Sequence, residues 1–237
     1  MVIDFLNAIA ALLIAYLLGA IPFGFLIAKS RGIDIRTVGS KNIGATNVFR
    51  CVGAKWGILA FVCDMLKGIG GVWCAMLPVL LWKADIAGGH LLLLKVLCGT
   101  AAMLGHIFPV YLRFKGGKGV STALGLLLGV APLAGLLGFG GWIVFFVISR
   151  YVSLASCLAA VVVGAIVWSP LYCYAPAECA TPIWFRILIT ILAILAIFKH
   201  RANIVRLCKG TENRFAFTAK QREARAAKLA AQAQKEA

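Results

Sequence analysis

The chain has 237 residues, 62% of them hydrophobic and 14% charged, with a mean hydropathy of +0.95, which excludes a soluble globular domain and requires a membrane protein of several spans. Its 24 Lys and Arg against 8 Asp and Glu would suggest nucleic acid in a soluble chain. Here the basic residues fall in short loops between apolar runs and in the C-terminal segment, a positive-inside pattern that leaves no role for a nucleic-acid partner.

The first apolar run, near 4–28, lacks a basic leading region, carries Asp4 and ends in Ala28-Lys29, so it reads as a retained helix rather than a cleaved signal. Gly19-Ala-Ile-Pro-Phe-Gly24 is expected either to loosen that helix or to let it pack closely on a neighbour. Further runs long enough to span fall near 56–82, 90–112, 152–172 and 183–199. The stretch 118–149 is too long for one span and carries Pro132 and Gly135 near its middle, which predicts two short helices, 118–133 and 136–149.

The expected fold is therefore all-α and polytopic, with about seven transmembrane helices. Only that count puts the basic loops 29–55, 113–118, Arg150 and 199–214 on one side, and it sets the N-terminus outside and the C-terminus in the cytoplasm. Lys67, Lys83, Lys95 and Arg186 are then the cations off the inner face. Trp56 and Tyr151 at inner ends, and Trp82, Tyr172, Tyr174 and Trp184 at outer ends, fit interfacial belts. Residues 1–214 read as one membrane domain and 215–237 as a basic cytoplasmic tail. Cys63, Cys74, Cys98 and Cys157 lie within apolar runs and read as buried thiols, while Cys173 and Cys179 share an outer loop where a disulfide is possible.

Three polar stretches fall on the same predicted face. In Gly39–Arg50, Gly39 and Gly44 turn backbone N–H groups towards an anion; Ser40, Asn42, Thr46 and Asn47 add neutral donors, and Lys41 and Arg50 add charge. The lack of lysine in Gly44-Ala45-Thr46 argues against a Walker-type nucleotide site. In the second stretch, Lys115 and Lys118 sit among Gly116, Gly117 and Gly119 just before a helix, an arrangement that suits an anion but also describes a basic turn. In the third, His200, Asn203 and Arg206 recur every third residue and share a helix face, followed by Glu212.

Asp64 and Lys67, three apart inside the second span, are expected to pair structurally, because either alone would be costly to bury. His106 reads equally as a packing histidine or a site residue. Scattered histidines and carboxylates give no metal-ligand spacing, and no Ser-His-Asp triad is evident. No metal or cofactor is expected.

Together, Gly39-Ser-Lys-Asn-Ile-Gly-Ala-Thr-Asn47, Gly105-His-Ile-Phe-Pro109 with Lys115-Gly-Gly-Lys-Gly-Val120, and His200-Arg-Ala-Asn-Ile-Val-Arg-Leu207 with Gly210-Thr-Glu212 resemble the three signature motifs of the bacterial PlsY-type acyl-phosphate:glycerol-3-phosphate acyltransferases. The resemblance keeps motif order from about residue 5 to 213 and omits the basic tail. It implies a seven-helix enzyme of the bacterial inner membrane with its site on the cytoplasmic face. Such an enzyme acylates glycerol 3-phosphate from acyl phosphate, giving lysophosphatidic acid and inorganic phosphate. By motif, Ser40 and Arg50 would be essential, Gly116, Gly117 and Gly119 would bind glycerol 3-phosphate, and Lys118 would hold a phosphate. His200 and Asn203 would complete the site, and Glu212 would be structural. The resemblance allows either His200 or a substrate phosphate as general base. An organic-phosphate transporter and a non-enzymatic scaffold are the competing readings; the first lacks repeated halves, and the second leaves the glycine-rich loops without a purpose.

Overall fold

The computed structural model describes residues 2–82, 88–170 and 181–215, and among these the regular structure is helical. Cys173 and Cys179, Lys83, Tyr172, Tyr174 and the tail beyond Phe215 lie outside the described residues. In chain order the helices are α1 (Val2–Ala20), α2 (Phe23–Lys29), α3 (Ala45–Cys51), α4 (Ala54–Trp73), α5 (Leu77–Trp82) and α6 (Gly88–Ile107). They are followed by α7 (Val120–Val130), α8 (Pro132–Ser149), α9 (Val152–Val167), α10 (Ile183–Lys199) and α11 (Arg201–Cys208).

Phe5–Lys29, Ala54–Leu81, His90–Leu112 and Pro132–Ser149 are long and apolar enough to cross a bilayer, and α10 with α11 forms a fifth candidate bent by 54°. The shorter apolar helices α7 and α9 complete the bundle. The outward surface carries Phe5, Leu13, Val147, Ile148, Ile191 and Phe198 fully or largely exposed, as expected where lipid rather than water is the neighbour.

The breaks in the apolar runs are sharp, the first where Gly19–Gly24 was expected to loosen the helix and the second displaced from the expected 134–135. The first run divides at Ile21-Pro22, where proline ends the helix and a second one starts. In 118–149 the break is a single residue, Ala131, so that Pro132 opens α8 at its first position, where its missing N–H is no loss. Gly135 therefore lies inside α8, against Leu128, rather than in a connection.

Small residues bring the helices together. α4 packs on α7, α1 on α6 and α8 on α9. A Cβ on Gly68 of α4 would come within 2.3 Å of the Thr122 carbonyl, and one on Gly125 of α7 within 2.0 Å of the Met65 carbonyl, so the two backbones touch only because neither position has a side chain. A core of Val72, Met103, Leu126, Phe185 and Ile189 joins α4, α6, α7 and α10. A smaller cluster of Ala28, Ile35, Ile43, Val48 and Ala60 seats the segment between α2 and α4 onto the bundle. That seat fixes the first polar stretch.

Candidate active site

The Gly39–Arg50 stretch is only half loop. Residues 45–51 form α3, so Thr46, Asn47 and Arg50 project from a helix, and Asn47 acts as the loop's internal brace. Its amide donates to the carbonyls of Ile35, Val38 and Asn42 at 2.9–3.1 Å, and its carbonyl accepts the Ser40 N–H at 2.9 Å. With the side chain 2% exposed, Asn47 has its hydrogen bonds committed to backbone, which differs from the anion-donor role expected of it. Asn42 likewise accepts the Gly44 N–H through Oδ1. No apolar periodicity announced α3, because it is a single short helix held by its flanks.

The second stretch is shaped by His106. The Gly117 N–H donates to the His106 carbonyl at 3.0 Å, and a Cβ on Gly117 would lie 2.1 Å from His106 Nε2, so the loop lies flat against the imidazole. Gly119, with φ of +83°, turns the chain into the N-terminus of α7. His106 Nδ1 lies 3.5 Å from Asp64 Oδ1, whose other neighbour is Lys67 Nζ at 2.8 Å; Lys67 also donates to the Ile21 carbonyl at the break in the first helix. These buried groups tie α1, α4 and α6 to the glycine loop.

The third stretch converges on the second. Lys118 Nζ donates to Asn203 Oδ1, while Asn203 Nδ2 donates to Glu212 Oε1 at 2.8 Å. Glu212 also accepts from Ser153 Oγ at 3.0 Å and Arg206 Nε at 2.8 Å. Burial raises the Glu212 pKa, but the hydrogen bonds from Asn203, Arg206 and Ser153 outweigh it and hold the carboxyl below its ordinary value. Burial lowers the Lys118 pKa, the Glu212 carboxylate pushes back, and Arg206 and Arg50 lower it further, leaving it at about 8. His200, 2% exposed, has Nδ1 2.8 Å from the Ala196 carbonyl.

All three stretches line one cavity of about 840 Å³. Its polar lining holds Gly39, Ser40, Lys41, Asn42, Gly44, Thr46, Asn47, Arg50, Gly116, Gly117, Lys118, Gly119, His200, Asn203 and Glu212. Six cations (Lys41, Arg50, Lys118, Lys199, Arg201 and Arg206) meet two carboxylates, Asp64 and Glu212, both already paired. The surplus charge suits an anion of more than one negative charge. Lys115, expected to bind substrate, is exposed and does not line the cavity; Lys67 does not either. The apolar part of the lining is a slot between α8, α9 and α10, where Gly135, Gly138, Ala159, Ala160, Ala193 and Ala196 leave room that larger side chains would fill.

Sequence reasoning missed Ser153, Asn213 and Phe215, which also line the cavity. Arg50 donates to the Asn213 carbonyl at 3.2 Å, 163 residues away. No local pattern signals such contacts. Among the described residues no three His, Cys, Asp or Glu side chains come together as a metal site.

The family model described as glycerol-3-phosphate acyltransferase matches residues 9–210. The glycerol-3-phosphate acyltransferase of Geotalea daltonii is 45% identical over 207 residues, spanning 85% of this chain and 94% of the relative. That of Aquifex aeolicus is 40% identical over 210 residues, spanning 89% and 100%. Among solved structures, the integral membrane glycerol 3-phosphate acyltransferase PlsY in its glycerol 3-phosphate form superposes with a TM-score of 0.73 at 39% identity, covering 88% of this chain and 96% of that one. Its lysophosphatidic acid form gives 0.71 at 38% identity, covering 88% and 95%. The family match over residues 9–210 takes in Ser40, Arg50, the glycine loop, His200, Asn203 and Arg206, and with relatives 40–45% identical over most of their length the chain belongs to the PlsY-type glycerol-3-phosphate acyltransferase family.

Proposed function

We propose that this protein transfers a fatty acyl group from acyl phosphate to glycerol 3-phosphate, releasing lysophosphatidic acid and inorganic phosphate. The observation that carries this reading is the single cavity with a cationic end and an apolar slot, since one substrate is a small polar phosphate and the other a phosphate bearing a lipid tail. Counting α7 and α9 as short spans, the chain crosses the bacterial inner membrane seven times, with the polar end opening to the cytoplasm. The site then draws one substrate from water and the other from lipid.

Acyl phosphate is an activated mixed anhydride, so the protein has to orient, neutralise charge and stabilise the oxyanion. Arg50 and Lys118 clamp the phosphates, Gly116, Gly119 and the start of α7 offer backbone donors, and Ser40 and Asn203 hydrogen-bond the reacting groups. The glycerol hydroxyl oxygen attacks the acyl carbonyl carbon, the carbon–oxygen bond to phosphate breaks, and phosphate leaves with the electron pair. His200 Nδ1 is held on the Ala196 carbonyl, and the hydroxyl proton passes to a substrate phosphate oxygen. His200→Ala is expected to reduce turnover by a similar factor at every pH; loss of the acid limb of the profile in that variant would reinstate His200 as the base.

The direct test supplies the purified protein in lipid vesicles with palmitoyl phosphate and glycerol 3-phosphate, separately and together. Lysophosphatidic acid, identified by mass, is expected only with both. Uptake of labelled glycerol 3-phosphate without product would replace the enzyme by a transporter.

A further inference from the structure

The cavity wall facing α8 is aromatic along its length. Phe61 of α4 stacks on Phe139 of α8 with centroids 6.1 Å apart, Phe139 on Trp142 at 6.1 Å, and Trp142 on Phe146 at 5.0 Å. Phe215 then meets Phe146 edge-on at 5.2 Å and Phe49 of α3 at 5.0 Å. All six rings line the cavity. Five lie within the family match, whereas Phe215 falls beyond its end at residue 210.

Phe215 belongs to a short polar strap, Thr211–Phe215, which is held without help from the ring. Glu212 accepts its three hydrogen bonds, the Asn213 carbonyl accepts from Arg50, and the Phe215 N–H donates to the Arg150 carbonyl at 2.7 Å. The ring lies between Phe49 of α3 and Phe146 near the end of α8, on the cavity lining, two residues from the Asn213 carbonyl that accepts from Arg50.

We propose that Phe215 is the residue that makes the site a transferase rather than a hydrolase, by closing the gap between Phe49 and Phe146 so that water does not reach the acyl carbonyl. The inference rests on the acyl-phosphate reading above. A mixed anhydride reacts with water by the same route as with an alcohol. The water oxygen forms the new bond to the carbonyl carbon, the bond to phosphate breaks with its electrons going to phosphate, and the water proton goes to that leaving group. Free fatty acid and inorganic phosphate result. Selectivity for glycerol 3-phosphate requires a dry carbonyl as well as a bound acceptor.

The test measures free palmitate and lysophosphatidic acid by mass, using the full chain in phosphatidylcholine vesicles with palmitoyl phosphate and glycerol 3-phosphate. With the hydrolysis of palmitoyl phosphate in protein-free vesicles subtracted, Phe215→Ala is expected to raise the ratio of palmitate to lysophosphatidic acid about tenfold, a change a general loss of activity would not produce, because both enzyme-made products would then fall together. Phe215→Leu restores most of the wild-type ratio, and Phe49→Ala, which removes the other half of the plug, shifts it in the same direction. Should Phe215→Ala not fold, Phe49→Ala decides. Lysophosphatidic acid from the wild type with an unchanged ratio in the variants would overturn the role of Phe215 alone. No lysophosphatidic acid from the wild type would overturn the donor assignment and the inference with it.

Discussion

Replacing Lys118 by Met is expected to lower kcat/KM for glycerol 3-phosphate by about 10²–10³, the usual cost of losing one preorganised charge at an anionic centre. Lys118 Nζ stands beside Asn203 at the point where the glycine loop, α11 and the Glu212 network meet, and no other lysine occupies that loop's cavity side, since Lys115 is outside. Its charge also has a pH signature. With a pKa at about 8, the side chain is a cation below that pH and neutral above it. kcat/KM for glycerol 3-phosphate therefore falls as pH rises through about 8. A bound phosphate favours the charged form, so kcat at saturating substrate declines at higher pH than kcat/KM. Lys118→Arg keeps its charge throughout and removes the alkaline limb of kcat/KM. A wild-type alkaline limb that persists unchanged in Lys118→Arg would mean that another group titrates.

The same replacement is expected not to lower the melting temperature. A lysine whose pKa is lower in the folded chain than its ordinary value of 10.5 opposes folding wherever it is protonated in the unfolded chain, hence at neutral pH. The site holds this charge against the fold's interest, as binding sites commonly do.

How much of this could be read from the sequence varies with the range of the interaction. Helices built from long apolar runs were legible, because burial in lipid demands about 20 apolar residues and little else does. The gathering of Ser40, Arg50, Lys118, His200 and Asn203 around one cavity could be expected from the sidedness of their loops. The i, i+3 contact of Asp64 with Lys67 follows from helix geometry alone. Asn47 was harder, since its type suits an anion site and a loop brace equally, and only the positions of the Ile35, Val38 and Asn42 carbonyls decide between them. Lys115 and Lys118 look equivalent on paper; the left-handed turns at Arg113, Phe114 and Gly119 aim one away and the other in. Ser153 and Phe215 carried no signal, because their partners lie 59 or more residues away in Glu212, Phe146 and Phe49.

Glu212→Ala tests how far that long-range network supports the chemistry. The carboxylate is the shared acceptor of Ser153, Asn203 and Arg206, and its side chain is 4% exposed. Removing it strands two buried donors at once, while Arg206, 39% exposed, recovers water; a loss of about 2–4 kcal/mol is expected, read as a lower melting temperature in detergent. The folded-state pKa of Glu212 lies below its ordinary value of 4.5, so its contribution is present above that pH and fades as pH falls through the depressed folded value. The wild type should thus lose stability on acidification by more than Glu212→Ala does. Activity falls as well, by about 10²-fold, because Asn203 holds Lys118 through Oδ1 only while Nδ2 is held by Glu212, and a misplaced donor forfeits most of its orientation. Glu212→Gln, which keeps a carbonyl acceptor but brings a second amide donor against Asn203, lies between the two. An alanine variant that melts like the wild type yet has lost its activity would move Glu212 out of the scaffold and into the reaction itself.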